Sequence, residues 1–264
     1  DRRQRQMCIR DRKMELGLAG KKALVTGSTK GIGRAIVESL LDEGVDVAIC
    51  ARNSEEVDKA IEDLSAKGRV IGSAVDAGNS DSLVAWVTSS IEELGGIDLY
   101  VHNTSAKGAK SLDAWENNFN VDLMALLHAV EAAKDQLSEG GGSLVSIGTT
   151  AAAEHFGPGA GSYSAFKAAV TNWTLGQAQV LGKLGIRSNV VSPGPIFVDG
   201  GDWDSIKERM PEFFEATEAA HPGGAMGVVT DVANIITFLA SDKASHINGV
   251  NITVDGGFSK RVDY

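Results

Sequence analysis

The sequence has little cysteine, no long apolar run and no excess of positive charge. Its 264 residues include two cysteines, Cys8 and Cys50, which form neither a disulfide framework nor a metal-ligand spacing. We therefore expect a reducing cytoplasm and no metal site. No apolar stretch approaches the ~18 residues that span a bilayer, so we expect no membrane segment. The net charge of −10 argues against nucleic acid as the main partner.

A basic segment precedes the rest of the chain. Residues 1–13, DRRQRQMCIRDRK, are rich in arginine on an acidic protein and lack the apolar core of a signal peptide, which argues against secretion. The string MCIRDR resembles translated adaptor sequence of the kind found in metagenomic gene models. We expect a non-native or disordered extension, with Met14 as the natural start. A basic arm that binds nucleic acid is the alternative.

Beyond this segment, short apolar runs alternate with helical patterns. Strands alternating with helices predict an α/β fold, in which a parallel sheet is covered on both faces. Because no repeat or linker interrupts the pattern, we expect residues 14–264 to form one domain. The seven predicted strands are KKALVTG, VDVAIC, RVIGSAVD, IDLYVHN, GSLVSIG, IRSNVVS and VNITVD.

The helical patterns have recognisable ends. Ser54 and Gly68 are expected to cap the second helix, since serine favours the start and glycine the end of a helix. Longer helices are expected over Leu112–Leu137, Ser162–Leu184 and Val229–Ala240.

The stretch TGSTKGIG, residues 26–33, lies between the first predicted strand and the first predicted helix. Its three glycines permit a tight turn and let a pyrophosphate approach backbone N–H groups, while the following helix presents its positive end to the anion. A tight strand-to-helix turn would explain the same glycines without any ligand. The position at the first strand–helix junction favours a dinucleotide.

Tyr163 and Lys167 are four residues apart and so share one face of a predicted helix. A tyrosine at its free pKa of ~10 is a poor acid/base at neutral pH, and a nearby ammonium favours the phenolate. We therefore expect Lys167 to lower the pKa of Tyr163. Such a pair also occurs by chance on helix surfaces, but its place downstream of the glycine loop favours an acid/base centre.

The spacing Thr-Gly-x-x-x-Gly-x-Gly together with Tyr-x-x-x-Lys resembles the short-chain dehydrogenase/reductase family, and within it the 3-oxoacyl-ACP reductase-like members. The resemblance covers nearly the whole chain, from about Leu18 to Phe258. It implies a doubly wound Rossmann-type fold with a seven-stranded sheet. It also implies NAD(H) or NADP(H) as cofactor and a homotetramer or homodimer.

The end of the second predicted strand bears on the choice of cofactor. Ala51 stands where NAD-preferring relatives carry an aspartate, which would bond the adenosine 2′-OH and repel a 2′-phosphate. Arg52 follows it, and Lys30 of the glycine loop can approach the same phosphate. Two cations and no carboxylate favour NADP(H), although both cations could be solvated surface charges.

The resemblance implies further cofactor contacts. Asp76 matches the residue that bonds the adenine amino group, and a turn or capping role is the competing explanation. The expected cofactor-binding residues are Gly27, Ser28, Thr29, Lys30, Gly31, Ile32, Gly33, Arg52, Asn53, Asp76, Ala77, Asn103, Tyr163, Lys167, Pro193, Gly194 and Ile196.

A hydroxyl on the loop after the fifth strand completes the catalytic group that the resemblance implies. Counting thirteen residues back from Tyr163 gives Thr150, whereas aligning the strand end gives Thr149. We favour Thr149 and leave Thr150 open, since either hydroxyl can polarise a carbonyl or satisfy loop backbone. Asn120 matches the family asparagine that anchors a water in the proton relay. The expected catalytic residues are Asn120, Thr149, Tyr163 and Lys167.

The sequence departs from the family pattern at several positions. Thr104 and Ser105 replace Ala and Gly beside the cofactor, Val198 replaces a Thr of the nicotinamide loop, and Ala225 stands where many relatives carry Arg. None of these changes removes the acid/base pair. We expect His102 to pack within the fourth strand rather than to act as a catalyst.

The irregular segment 197–226 is long for a connection, and such insertions tend to be functional lids. We expect a substrate lid here with an apolar cover, although the same side chains could pack on the body or on a neighbouring subunit. The side chains are Trp203, Met210, Phe213 and Phe214. His155 and His221 could face substrate or be satisfied surface histidines, and His128 is expected to be structural.

These features predict a cytoplasmic NADP(H)-dependent ketoreductase or alcohol dehydrogenase acting on a hydrophobic carbonyl or secondary alcohol. Tyr163 would donate the proton, Lys167 would lower its pKa and Asn120 would link the relay to water. A 3-oxoacyl thioester, a cyclic or aromatic ketone and a steroid-like alcohol all remain open as substrates. The alternatives are a lyase or epimerase that retains the nicotinamide, and a catalytically silent NADP(H) sensor.

Overall fold

The computed structural model describes residues 15–106, 108, 110–156 and 161–261. The predicted extension over residues 1–13 and the predicted start at Met14 lie outside this part of the chain.

Seven strands form one parallel sheet in the order β3-β2-β1-β4-β5-β6-β9. The chain order reverses between β1 and β4, which is where doubly wound sheets bind ligands at their carboxyl edge. The predicted α/β fold with a seven-stranded parallel sheet is confirmed. The strands are β1 (Lys22–Thr26), β2 (Asp46–Ala51), β3 (Val70–Ala74), β4 (Leu99–His102), β5 (Ser143–Ile147), β6 (Arg187–Pro193) and β9 (Asn251–Val254), while β7 (Ile196–Phe197) and β8 (Gly227–Val228) pair separately.

Nine α-helices connect and cover these strands within the described residues. They are α1 (Gly31–Asp42), α2 (Ser54–Leu64), α3 (Ser80–Leu94), α4 (Leu112–Asn118), α5 (Ala125–Gly140), α6 (Ser162–Leu181), α7 (Asp202–Arg209), α8 (Pro211–Ala220) and α9 (Val229–Ala240). Short 3₁₀ turns lie at Thr150–Ala152, Gly182–Leu184 and Asp242–Ala244. None of the helices in this part of the chain has the length and apolar character needed to cross a membrane.

Alternating side chains of the strands serve two separate apolar cores. In β1, Ala23 and Val25 join the core beneath α1 and α9, while Leu24 joins the core beneath α3, α5 and α6. This follows from the two-residue period of a strand, and it explains why the strands are apolar on both faces. Each fully buried leucine stabilises the fold by about 1.5–3 kcal/mol. The two cores fix the sheet edge at which the site is built.

Two predicted helix boundaries are wrong. Asn53, not Ser54, caps α2, because its side-chain oxygen accepts hydrogen bonds from the Glu55 and Glu56 backbone N–H groups. The helix ends at Leu64, before the predicted cap at Gly68.

The long helix predicted over Leu112–Leu137 is interrupted. A π-helical segment, Phe119–Met124, separates α4 from α5, so the side chains after Asn118 turn differently from those of a continuous α-helix. Such wide turns are frequent at functional sites.

The predicted lid folds as two short helices, α7 and α8. They meet at Met210, whose backbone (φ −142°, ψ 61°) lies outside the helical region that the following proline disfavours. Trp203 stacks on Phe213 with ring centroids 5.9 Å apart, and Phe214 lies edge-on to Phe197 at 6.1 Å. These aromatic side chains therefore pack largely on one another and on the base of the segment.

Candidate active site

The glycine loop follows β1 and leads directly into α1. Gly27 and Gly31 have φ values of 62° and 58°, a conformation that favours glycine. A Cβ at Gly33 would lie 2.3 Å from the backbone oxygen of Gly27, so only glycine fits there. Asn103, at the end of β4, donates from Nδ2 to the carbonyls of Thr26 (3.1 Å) and Gly27 (2.8 Å) and so holds the loop in place.

This cradle fits a pyrophosphate. The N-terminus of α1 carries no side-chain cap, so its backbone N–H groups and positive dipole end face the position where an anion would lie. Ser28 is buried and donates to the Val25 carbonyl at 2.7 Å, which fixes the loop from the inside. The half-buried Ile32 packs against the core under α1.

The two cations predicted to favour NADP(H) border the same edge. The Lys30 side chain is 81% exposed and lies 3.4 Å from Glu56 Oε1, while Arg52 is exposed at the end of β2. Glu56 also accepts a hydrogen bond from Thr29 Oγ1 at 3.2 Å. Glu56 reaches the loop from the first turn of α2, so the residues at the end of β2 do not reveal this carboxylate.

The remaining predicted cofactor residues also lie at the carboxyl edge of the sheet. Asn53 caps α2, and Asp76 accepts the Gly78 N–H at 3.0 Å within a turn after β3, beside the buried Ala77. Both polar side chains therefore have local structural roles.

On the other side of the switch point, Pro193 ends β6 and Ile196 lies in β7. At Gly194, between them, a Cβ would come within 2.5 Å of the Asp255 Cβ, so this position also requires glycine.

Tyr163 and Lys167 lie in the first two turns of α6, and Thr149 lies at the end of β5. The Thr149 hydroxyl lies near enough to the Tyr163 hydroxyl to lower its pKa, which brings the favoured threonine to the tyrosine. Lys167 is only 1% exposed and donates from Nζ to the Ile147 carbonyl at 2.9 Å. Thr150 is buried and begins the 3₁₀ turn beyond β5.

The expected lowering of the Tyr163 pKa by Lys167 is not what the structure shows. Burial raises the pKa of Tyr163 above its ordinary value, and the Thr149 hydroxyl lowers it only in part. The charges of Asp122 and Asp202 raise it further. Burial also lowers the pKa of Lys167, while Asp122 raises it. The Asp122 carboxylate thus lies beside Lys167, and the distance between Asp122 Oδ1 and Lys167 Nζ is 3.5 Å.

Asn120 does not lie with the other predicted catalytic residues, contrary to the expectation. It is exposed and lines a small cavity with Gly78, Phe119 and His128. Positions two apart on a helix point to nearly opposite sides, whereas positions four apart share a face. Asn118 and Asp122 are the pair that faces α6, and both are buried.

Sequence reasoning missed Asp122 altogether. The signal that could have found it is a carboxylate within the apolar run NVDLMALL, four residues after Asn118.

His102, which was expected to pack within its strand, donates from Nε2 to the Asp122 backbone carbonyl at 2.9 Å. Burial and the nearby Lys167 charge lower the pKa of His102 to about 4, so its imidazole is neutral at pH 7.

The three other histidines considered from the sequence lie in different environments. His155 is exposed, and His128 is half-buried on α5. His221 is buried at the end of the lid, where it bonds the Thr217 carbonyl through Nδ1 at 2.8 Å and stacks on Phe258.

Known proteins resemble this chain over nearly its whole length. A family model described as enoyl-(acyl carrier protein) reductase matches residues 27–259. Isoepoxydon dehydrogenase of Penicillium expansum is 36% identical over 247 residues, covering 91% of this chain and 95% of that protein. A 3-oxoacyl-(acyl-carrier-protein) reductase of Staphylococcus aureus is 33% identical over 248 residues, covering 90% of this chain and 97% of that protein.

Solved structures agree with these sequence relatives. A short-chain dehydrogenase from Burkholderia cenocepacia J2315 in complex with NADP has a TM-score of 0.82 and 33% identity, covering 91% of this chain and 98% of that one. L-sorbose reductase from Gluconobacter frateurii, complexed with NADPH and L-sorbose, has a TM-score of 0.86 and 27% identity, covering 94% of this chain and 100% of that one. The chain belongs to the short-chain dehydrogenase/reductase family of oxidoreductases.

Proposed function

We propose that the chain is an NADP(H)-dependent oxidoreductase that interconverts a ketone and a secondary alcohol, with Tyr163 as its acid/base. The observation that carries this proposal is that Tyr163 lies with the Thr149 hydroxyl beside it, one helical turn before the buried Lys167. This group lies at the same sheet edge as the glycine loop. Relatives complexed with NADP or NADPH support the choice of cofactor.

The residues that would hold the cofactor follow the carboxyl edge of the sheet. The glycine loop and the start of α1 would bind the pyrophosphate, and Arg52 and Lys30 would contact a 2′-phosphate. Lys167 directs one donor to the Ile147 carbonyl and one toward Asp122, which leaves its third donor for a ribose hydroxyl. When bound, NADP(H) supplies or accepts the hydride.

Tyr163 would donate the proton in the reduction. Since its pKa lies above the ordinary tyrosine value, its hydroxyl is protonated at neutral pH and can donate to a carbonyl oxygen. Thr149 would hold the same oxygen with a second hydrogen bond, which strengthens as negative charge develops there. In the reverse direction Tyr163 must first lose its proton. Alcohol oxidation is therefore expected to accelerate with rising pH.

The aromatic composition of the lid favours a hydrophobic substrate. Its aromatic residues, Trp203, Phe213 and Phe214, form an apolar cluster in the segment after β7, and Met210 and Phe213 remain exposed. An apolar cover favours ketones with hydrophobic substituents over small hydrophilic ones.

A panel of hydrophobic ketones offered with NADPH or NADH tests the proposal. We expect NADPH consumption with at least one ketone and tighter binding of NADPH than of NADH. Binding of NADPH without turnover of any ketone or alcohol would favour the silent sensor. Turnover of a substrate without net change in NADPH would favour a lyase or epimerase.

A further inference from the structure

A buried carboxylate lies behind the proposed acid/base pair. Asp122 belongs to the π-helical segment, is 0% exposed and comes within 3.5 Å of Lys167 Nζ. It accepts hydrogen bonds from the Ala106 N–H (3.1 Å), from Asn118 Nδ2 (2.8 Å) and from the Ser105 hydroxyl. A buried polar cluster thus links the segment between β4 and α4 to the first turns of α6.

The groups around Asp122 are those that a carboxylate requires. The Ala106 N–H, the Asn118 amide nitrogen and the Lys167 ammonium can only donate, and the Ser105 hydroxyl can donate as well. The orientation of the Asn118 amide is fixed by the Ala106 carbonyl, which can only accept and lies 3.1 Å from Nδ2, while Oδ1 accepts the Ser162 hydroxyl at 2.7 Å. A buried anion requires a paired charge, and Lys167 is the cation beside it.

The charge on Asp122 changes what Lys167 can do for Tyr163. A lone ammonium would favour the phenolate, whereas an ammonium next to a carboxylate forms a nearly neutral pair. The other groups that act on this region, among the described residues, are Asp202 from the lid and the neutral His102 from β4. Thr149, from the end of β5, contributes an uncharged hydroxyl.

We propose that Asp122 is a positioning residue that offsets the Lys167 charge and keeps the Tyr163 hydroxyl protonated at neutral pH, so that the site is set for carbonyl reduction. This inference rests on the proposed function of Tyr163. It assigns a role to a side chain that the tyrosine–lysine motif does not include, and it acts through Lys167 without contact with the substrate.

The test is the ionisation of Tyr163 in the variant Asp122→Asn. Tyrosinate absorbance is titrated in the unaltered chain and in Asp122→Asn, and the same titrations in the Tyr163→Phe background are subtracted to isolate Tyr163. We expect the Tyr163 pKa to fall by roughly one unit or more, since a nearby charge shifts a pKa by that amount. In Asp122→Asn, Lys167 keeps the Ile147 carbonyl as a hydrogen-bond acceptor, so the position of its amino group is retained.

The pH dependence of alcohol oxidation gives the second measurement. The rate of alcohol oxidation should begin to rise at a lower pH in Asp122→Asn, because the Tyr163 phenolate forms at a lower pH. The shift should equal the fall in the Tyr163 pKa. Ser105→Ala is the matched control: it removes one donor to Asp122 but leaves the carboxylate, and should change this pH little. If Asp122→Asn does not fold, Asp122→Ser, whose hydroxyl can accept the same donors, is titrated in its place.

The outcomes separate this inference from the proposed function. An unchanged or higher Tyr163 pKa in the Asp122 variants would overturn the role of Asp122. Full activity of Tyr163→Phe would instead overturn the role of Tyr163 in catalysis, while the tyrosinate titration would still report the coupling to Asp122.

Discussion

At the residue scale, the candidate site depends on a few side chains whose neighbours decide their chemistry. Tyr163 and Lys167 could be identified from their spacing, but the direction of the Tyr163 pKa shift could not. That shift depends on burial and on Asp122, which reaches Lys167 from another element. Likewise, Thr149 and Thr150 could not be separated by counting, because the loop between β5 and α6 sets which hydroxyl reaches the tyrosine.

The two threonines give a direct prediction. Thr149→Val should lower kcat with the best ketone by roughly 10²–10³-fold, because a donor to the developing oxyanion is lost. Thr150→Val should retain most activity, since that side chain is buried at the start of the 3₁₀ turn. Steady-state kinetics on both variants measure the difference. The opposite ranking would assign the hydroxyl to Thr150.

Cofactor preference gives a second prediction. Arg52→Asp should weaken NADPH binding by on the order of tenfold or more and leave or improve NADH binding, since a carboxylate repels the 2′-phosphate and accepts a ribose hydroxyl. Lys59→Asp, an equal charge change on an exposed position of α2, serves as the control. Binding titrations with each dinucleotide report the result, and an unchanged NADPH affinity in Arg52→Asp would contradict the assignment.

At the scale of elements, the strands were predictable because their apolar runs reflect burial on both faces. The predicted helices were wrong where the pattern of apolar and polar residues does not determine the backbone geometry. The π-helical segment Phe119–Met124 was read as part of one α-helix, and Asn120 was placed in the site instead of Asp122. The Ser54 cap failed similarly, since Asn53 and Ser54 are both good capping residues.

The loop between β1 and α1 offers a prediction at this scale. Gly33→Ala should abolish NADPH binding and lower stability, because its Cβ would collide with the Gly27 carbonyl oxygen. Gly176→Ala is the matched control: nothing lies within 4 Å of a Cβ there, in the middle of α6. It should raise stability by about 0.5–1 kcal/mol. Denaturant unfolding and NADPH titration of the two variants measure both effects, and equal behaviour would contradict this explanation.

At the scale of the whole molecule, the resemblance to the family leads us to expect a homotetramer or homodimer formed from one domain per chain. Trp115 and Phe119 expose apolar rings, and both contact Phe166 with ring centroids 5.8 and 5.9 Å away. Exposed apolar patches mark interaction surfaces, whereas a single exposed apolar side chain does not.

Sedimentation velocity tests this expectation. The unaltered chain should sediment as a dimer or tetramer, and the double variant Trp115→Lys/Phe119→Lys should shift it toward smaller species, because buried charge at an interface is costly. Glu62→Lys, at an exposed position on α2, should leave the assembly unchanged. A monomeric unaltered chain would contradict the expected assembly.

The central claim is that Tyr163 transfers the proton in an NADP(H)-dependent reduction, and the most direct measurement is turnover of the best ketone by Tyr163→Phe with NADPH. The account predicts that kcat falls by roughly 10²–10⁴-fold, as when a general acid is removed, while the glycine loop and Lys167 still bind NADPH. Turnover at the unaltered rate with NADPH binding intact would contradict it.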